Sequence, residues 1–196
     1  MRKLFYIPIV HTPEDHGSHL EMVKRVYISR YGLLKWQEHV KAISEFWQKL
    51  SEAFLTWSVN YTKVRVYQDS LPVIYGQEGC YNDVPLRIVE ELAQRGNRNY
   101  QLLLELAKKG ATLMGTEDPK LLIEERARHH LIVNQTDVAA PAYDELVEQR
   151  DESIAQRIDS TLKEGEIGLL FIGALHRVVE RLPKDIQVHN PFNKSN

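Results

Sequence analysis

Hydrophobic positions along the chain switch between two periods. Five short runs are apolar or β-branched and end at turn or capping residues, which predicts buried strands. They are Leu4 to Val10, Lys63 to Tyr67, Ala111 to Gly115, Ile167 to Ile172 and Ile186 to Val188. The run Ile167-Gly168-Leu169-Leu170-Phe171-Ile172 is apolar on both faces, as a central parallel strand covered by helices must be. Between the runs the period lengthens. Trp36, Val40, Ile43, Trp47, Leu50, Phe54 and Trp57 recur at alternating spacings of four and three, which places them on one helix face. That stripe fits a core-facing helix or a seam between two subunits. It is short for a coiled coil, so the core-facing reading is preferred.

Start and stop signals agree with this division. Asp118-Pro119 opens a helix, because Asp caps and Pro at the first helical position gives up an amide that has no partner anyway. Thr12-Pro13-Glu14-Asp15 repeats the pattern, with Asp15 placed to complete a capping box. Gly96, Gly110 and Gly165 follow charged helix ends and suit left-handed caps. Alternating strands and helices predict an α/β fold: three layers, with a mainly parallel sheet of about five strands flanked by helices. One domain is expected over 1–196, with a helical insertion at about 17–58 between the first two strands. A lid or a dimer contact could sit on that insertion.

Composition narrows the partners. The 196 residues are 43% hydrophobic and 27% charged, enough for a full core. A net charge of −2 shows no basic excess of the kind that nucleic acid attracts. Cys80 is the single cysteine, which removes an intrachain disulfide and disfavours a cysteine-based zinc site. The apolar opening Lys3 to Val10 is too short to span a bilayer, and it lacks a signal-peptide cleavage pattern. The expectation is a cytoplasmic protein with no membrane and no nucleic-acid partner.

Ligands of open parallel sheets bind outside the carboxyl ends of strands, where strand order reverses. His11, Asp15, His16 and His19 follow the first strand, and Gln68 and Asp69 the second. Thr116, Glu117 and Asp118 follow the third, and His176 follows the fourth through Gly173-Ala174-Leu175. Each of these ends carries a residue able to bind a metal or move a proton. With the strand order 3-2-1-4-5, the first and fourth strands are neighbours and His11 faces His176. Duller roles exist for several of the others. Asp118 suits a helix N-terminus, Asp69 a turn, and His129-His130 a helix C-terminus. His39 suits a helix surface, whereas His189 follows the last strand and could reach the cleft. Arg150 has Leu146 and Ile154 four residues either side, so no carboxylate stands at the spacing of a surface ion pair.

The string Arg150-Asp151-x-x-Ile154-Ala155-x-x-Ile158, then Gly165, then Leu170-Phe171-Ile172-Gly173-Ala174-Leu175-His176, resembles the closing motif of the TraB/TIKI-like superfamily. That group is similar in turn to erythromycin-esterase-like and ChaN-like proteins. Pro8-Ile9-Val10-His11 matches the group's opening Gly-x-x-His only in part, with Pro where Gly stands. The likeness covers about the last quarter of the chain and the first strand loosely, as in a short prokaryotic branch. It implies metal-dependent proteolysis, esterase chemistry using His and Glu at strand ends, or haem binding, according to the member.

Together these readings lead to a metal-dependent hydrolase of small amide, ester or peptide substrates. His11, Asp69, Glu117 and His176 are the candidate ligands for a divalent ion such as Mn, Co or Zn, which would lower the pKa of a bound water. His11, Glu117, Arg150 and His176 are the candidate catalytic residues, with Arg150 stabilising charge on the attacked carbonyl. Without a metal, the same set could run acid–base chemistry. The alternatives are a non-enzymatic module for haem or another anionic ligand, and an interaction protein whose Trp-bearing helix forms a homodimer.

Overall fold

The computed structural model describes residues 1–73, 83–133 and 140–191. Cys80 and the side chains of His16, His129 and His130 lie outside the described residues. The strands are β1 (Arg2–Pro8), β2 (Val64–Pro72), β3 (Thr112–Glu117), β4 (Ile167–Ile172) and β5 (Ile186–His189). The helices among the described residues are α1 (Leu20–Tyr31), α2 (Leu33–Leu55), α3 (Asp83–Gln94), α4 (Arg98–Lys108), α5 (Pro119–Val133) and α6 (Ala140–Thr161). All strand pairings are parallel, in the order β3-β2-β4-β1-β5.

That order differs from the expected 3-2-1-4-5 in one exchange. β4 takes the middle and pairs with both β1 and β2. Its sequence explains the place, since a strand without a polar face is stable only between two neighbours and two helix layers. Side chains alternate along it as period two requires. Leu169 and Phe171 join Ile43, Trp47, Leu50 and Phe54 of α2 and Leu102, Leu103 and Leu106 of α4. Leu170 and Ile172 join Ile154, Ala155 and Ile158 of α6 on the opposite face. The result is a three-layer α/β fold.

The stripe on α2 faces the core, with Trp36, Ile43, Trp47, Leu50 and Phe54 buried. Trp57 falls beyond the helix end and lies edge-on to Phe5 at 5.2 Å between ring centroids. No described helix is long and apolar enough to cross a membrane. Gly96, Gly110 and Gly165 have φ of 93°, 101° and 77°, the left-handed geometry of a helix cap.

β2 runs past its expected end at Tyr67. Its pairing with β3 passes from Gln68↔Gly115 to Pro72↔Glu117, four steps along β2 against two along β3. The surplus forms a bulge in which Ser70 sits at φ 64° and Leu71 returns to the core with no exposure. Asp-Ser before a proline has turn chemistry, and here the bulge absorbs it without ending the strand. Gly115 permits this detour. A Cβ there would lie 2.2 Å from the Pro72 carbonyl oxygen and 2.8 Å from Val73 Cα. Both are backbone atoms, so Gly115→Ala is expected to cost about 1–3 kcal/mol. Thermal unfolding monitored by circular dichroism checks it, and an unchanged midpoint would show that the bulge yields freely.

Candidate active site

The C-terminal edge of the sheet collects charged side chains from strands and from α6. Progress from β1 through β2 to β3 moves toward one edge, and β4 to β5 returns across the sheet. The ends of β1, β2 and β4 therefore surround the reversal, where a crevice is expected.

Arg150 projects from the middle of α6 into this edge and is 3% exposed. Its Nε donates to Glu117 Oε2 at 3.2 Å, and its Nη2 to Glu117 Oε1 at 2.8 Å and Asp69 Oδ1 at 3.1 Å. Nη1 lies 3.4 Å from Glu125 Oε1 on α5. Glu117, at the end of β3, has no exposed surface. Burial pushes its carboxyl above the usual range, and the guanidinium beside it works in the opposite direction. For Arg150, burial opposes the charge, but the hydrogen bonds and charge of Glu117, with Asp69 and Glu125, raise its pKa further. The fork geometry of guanidinium suits this arrangement.

The neighbouring residue on the helix holds the histidine. Asp151 is 2% exposed, and its Oδ1 lies 2.5 Å from His176 Nδ1. Its Oδ2 accepts the Arg177 backbone N–H at 2.7 Å, which fixes the carboxylate. Arg181 Nη1 lies 3.8 Å from the same oxygen. His176 Nε2 is directed toward Asp69, 3.8 Å from Oδ2. That Oδ2 in turn accepts the Gly173 N–H at 3.1 Å, so the β4 loop binds both members. Burial works against protonation of His176, yet the Asp151 hydrogen bond and the Asp69 charge outweigh it and raise its pKa.

Four of the candidates from the sequence, Asp69, Glu117, Arg150 and His176, make one contact network. His11 lies at the same edge, since the Ile9 N–H continues the β1–β4 pairing to the Ile172 carbonyl at 2.9 Å. Its side chain is 65% exposed and pairs with Asp15, Nδ1 to Oδ2 at 3.7 Å. The Asp15 hydrogen bond raises the pKa of His11 against a burial effect, and the charges of Asp15 and Asp69 add to the rise. Asp118 accepts the Lys120 N–H at 2.8 Å on Oδ1, the capping role expected of it. His189 stacks on Phe5 at 5.2 Å, pairing three residues short of the β1 end. His39 is exposed and stacks on Tyr27.

Asp151 and Glu125 were given no role by the pattern of strand ends. The signal for Asp151 was nevertheless present, because its neighbours four residues away are Val147 and Ala155. A carboxylate between apolar residues on its own helix stripe points inward for the same reason as Arg150. A hollow of about 560 Å³ lies beside this dyad, lined by Asp144, Glu148, Asp151, Leu175, Arg177 and Arg181 among others. A separate apolar groove of about 690 Å³, lined by Phe5, Phe46, Phe54 and Trp57, lies over α2.

Comparison with protein-family models, curated proteins and solved structures yields no match to this chain. The site is therefore read from its own chemistry.

Proposed function

We propose that the protein is a hydrolase of small amide, ester or peptide substrates, with His176 as its acid–base residue. The observation that carries this reading is the Asp151–His176 pair, 2.5 Å apart and buried, with Nε2 on the side of Asp69, 3.8 Å from its Oδ2. A carboxylate on Nδ1 sets the tautomer and stabilises the imidazolium that forms when Nε2 takes a proton. His176 then removes a proton from water as it attacks the substrate carbonyl. It returns that proton to the leaving group as the tetrahedral adduct collapses. The string that carries the resemblance to the TraB/TIKI-like group contributes Arg150, Asp151 and His176, all members of the network.

Arg150 is assigned to positioning in this scheme. Its three nitrogens face Glu117, Asp69 and Glu125, so its charge organises carboxylates ahead of any substrate oxygen. The excess of carboxylates also weighs against a haem-like anionic ligand at this edge.

A metal-assisted form is the second reading. His176 Nε2 and Asp69 Oδ2 lie 3.8 Å apart, and an acid behind Nδ1 is what a metal-bound histidine commonly uses. Both Glu117 oxygens already accept hydrogen bonds from Arg150, and Asp69 accepts from Arg150 and Gly173, which favours the metal-free form. Protein purified without an affinity tag should hydrolyse members of an aryl-ester and aminoacyl-anilide panel. Activity should survive chelation, and His176→Ala should lower it by about 100-fold or more. Loss on chelation with recovery by Mn, Co or Zn would select the metal form. Full activity of His176→Ala would sink both.

A further inference from the structure

Two stripes run side by side along α2. Ile43, Trp47, Leu50 and Phe54 are buried in the core. One residue before each of them stand Ala42, Phe46, Lys49 and Ala53, at the same alternating spacing of four and three. This second stripe lines the apolar groove of about 690 Å³. Ala42 and Ala53 are exposed, and their small side chains leave the trough open on either side of Phe46.

The opposite wall comes from the margin of the sheet. Phe5 belongs to β1, and Pro191 follows β5, the edge strand. Trp57 closes one end, with its ring centroid 5.2 Å from that of Phe5 and 5.8 Å from that of Phe54. The volume lies within the roughly 300–1,000 Å³ of small-molecule sites, and apolar and aromatic walls are what such sites have. Among the described lining residues, Glu45 and Lys49 are the polar ones. Glu45 lies 3.8 Å from Lys41, whereas the exposed Lys49 enters no ion pair among the described residues. The charge left for a ligand is therefore positive.

We propose that this groove binds a medium- or long-chain carboxylate, its acyl chain along Phe46, Phe54 and Trp57 and its head group at Lys49. A hydrocarbon chain gains from leaving water and asks for no hydrogen bonds. An extended peptide would bring N–H and C=O groups to walls that offer them almost no partners. A cationic head would meet Lys49 and a carboxylate that already has Lys41 beside it. The site stands apart from the hydrolase reading, since none of Asp69, Glu117, Arg150, Asp151 and His176 lines the groove.

The test titrates octanoate, decanoate and dodecanoate into the full chain by calorimetry, below the concentrations at which they form micelles. NMR shifts locate the site in the same samples. Affinity should rise about threefold with each added methylene, as burial of the chain requires. Dodecanoate should bind about fivefold more tightly than dodecyltrimethylammonium, an advantage of the size one exposed charge pair gives. Lys49→Glu should erase that advantage. Ala53→Trp fills the trough from an exposed position and should lower dodecanoate affinity at least tenfold, with circular dichroism confirming the fold. His176→Ala should leave binding unchanged, which separates this site from the proposed catalytic one. Affinity that is flat with chain length, or shifts that map away from Phe5, Phe46 and Trp57, overturns the proposal. Tighter binding of the ammonium would make the groove an aromatic cage for cations and overturns it as well. So does a tenfold gain in dodecanoate affinity on Phe192→Ser, which would make the chain's own terminal segment the occupant.

Discussion

Arg150→Met is expected to destabilise the protein by about 3–5 kcal/mol near neutral pH, as when one partner of a buried ion pair is removed. Methionine fills similar space and keeps the stem packing, so the loss is chiefly electrostatic. Glu117 would remain without exposed surface and without its guanidinium, and Asp69 would lose the donor on Oδ1. The sign of the pH effect follows from Glu117. Its folded-state pKa is already above the ordinary value because burial dominates, and it rises further once Arg150 is gone. A raised carboxylate pKa means the native state binds the proton more tightly. Its contribution to stability is therefore full below the unfolded pKa and lost as pH rises through the folded one. The variant should be closer to the parent in mild acid and worst at neutral pH and above. Adding Glu117→Gln should recover much of the deficit. Urea unfolding at two pH values decides it, and a variant within about 0.5 kcal/mol of the parent would show that the ion pair contributes little.

Asp151→Asn is expected to lower kcat by about 10²–10⁴-fold, because an amide on Nδ1 can select the wrong tautomer and no longer balances the imidazolium. The groups facing His176 are Asp151, Asp69 and Arg150, the last opposing protonation. Burial also opposes protonation, and the two carboxylates outweigh both, so the pKa of His176 stands above its ordinary 6.5. As a base, His176 must be neutral, so activity should rise with pH through that elevated value. Removing the Asp151 charge should move this limb toward lower pH. The same histidine contributes stability that is complete below its unfolded pKa and fades as pH rises through the folded one, and the variant should flatten that dependence. NMR titration of the imidazole alongside kcat/KM profiles reads both effects. A limb that stays in place would mean that His176 is not the titrating base.

Much of the architecture is legible in the chain, because periodicity reports burial. β4 declares its central place through apolarity on both faces, and α2 declares its buried face through the alternating three and four spacing. The exchange of β1 and β4 in the strand order leaves no such mark, since both are apolar and only crossover geometry separates the alternatives. The bulge at Asp69 to Leu71 is hidden for a related reason. Its residues have turn chemistry, and the glycine that makes room for it lies on another strand, at Gly115. At the site, strand ends supply Asp69, Glu117 and His176. Asp151 and Glu125 come from helices, where their inward direction depends on α5 and α6 packing against the sheet. Asn99 comes from α4 and is tied to the edge through Gln68.

The two halves of the dyad-and-carboxylate network are mounted with unequal firmness. His176 follows the strand braced on both sides, whereas Glu117 ends β3, which has a single neighbour. That neighbour is joined to it across an irregular pairing. The imidazole is thus carried by the strand held on both sides, and Glu117 by the edge of the sheet.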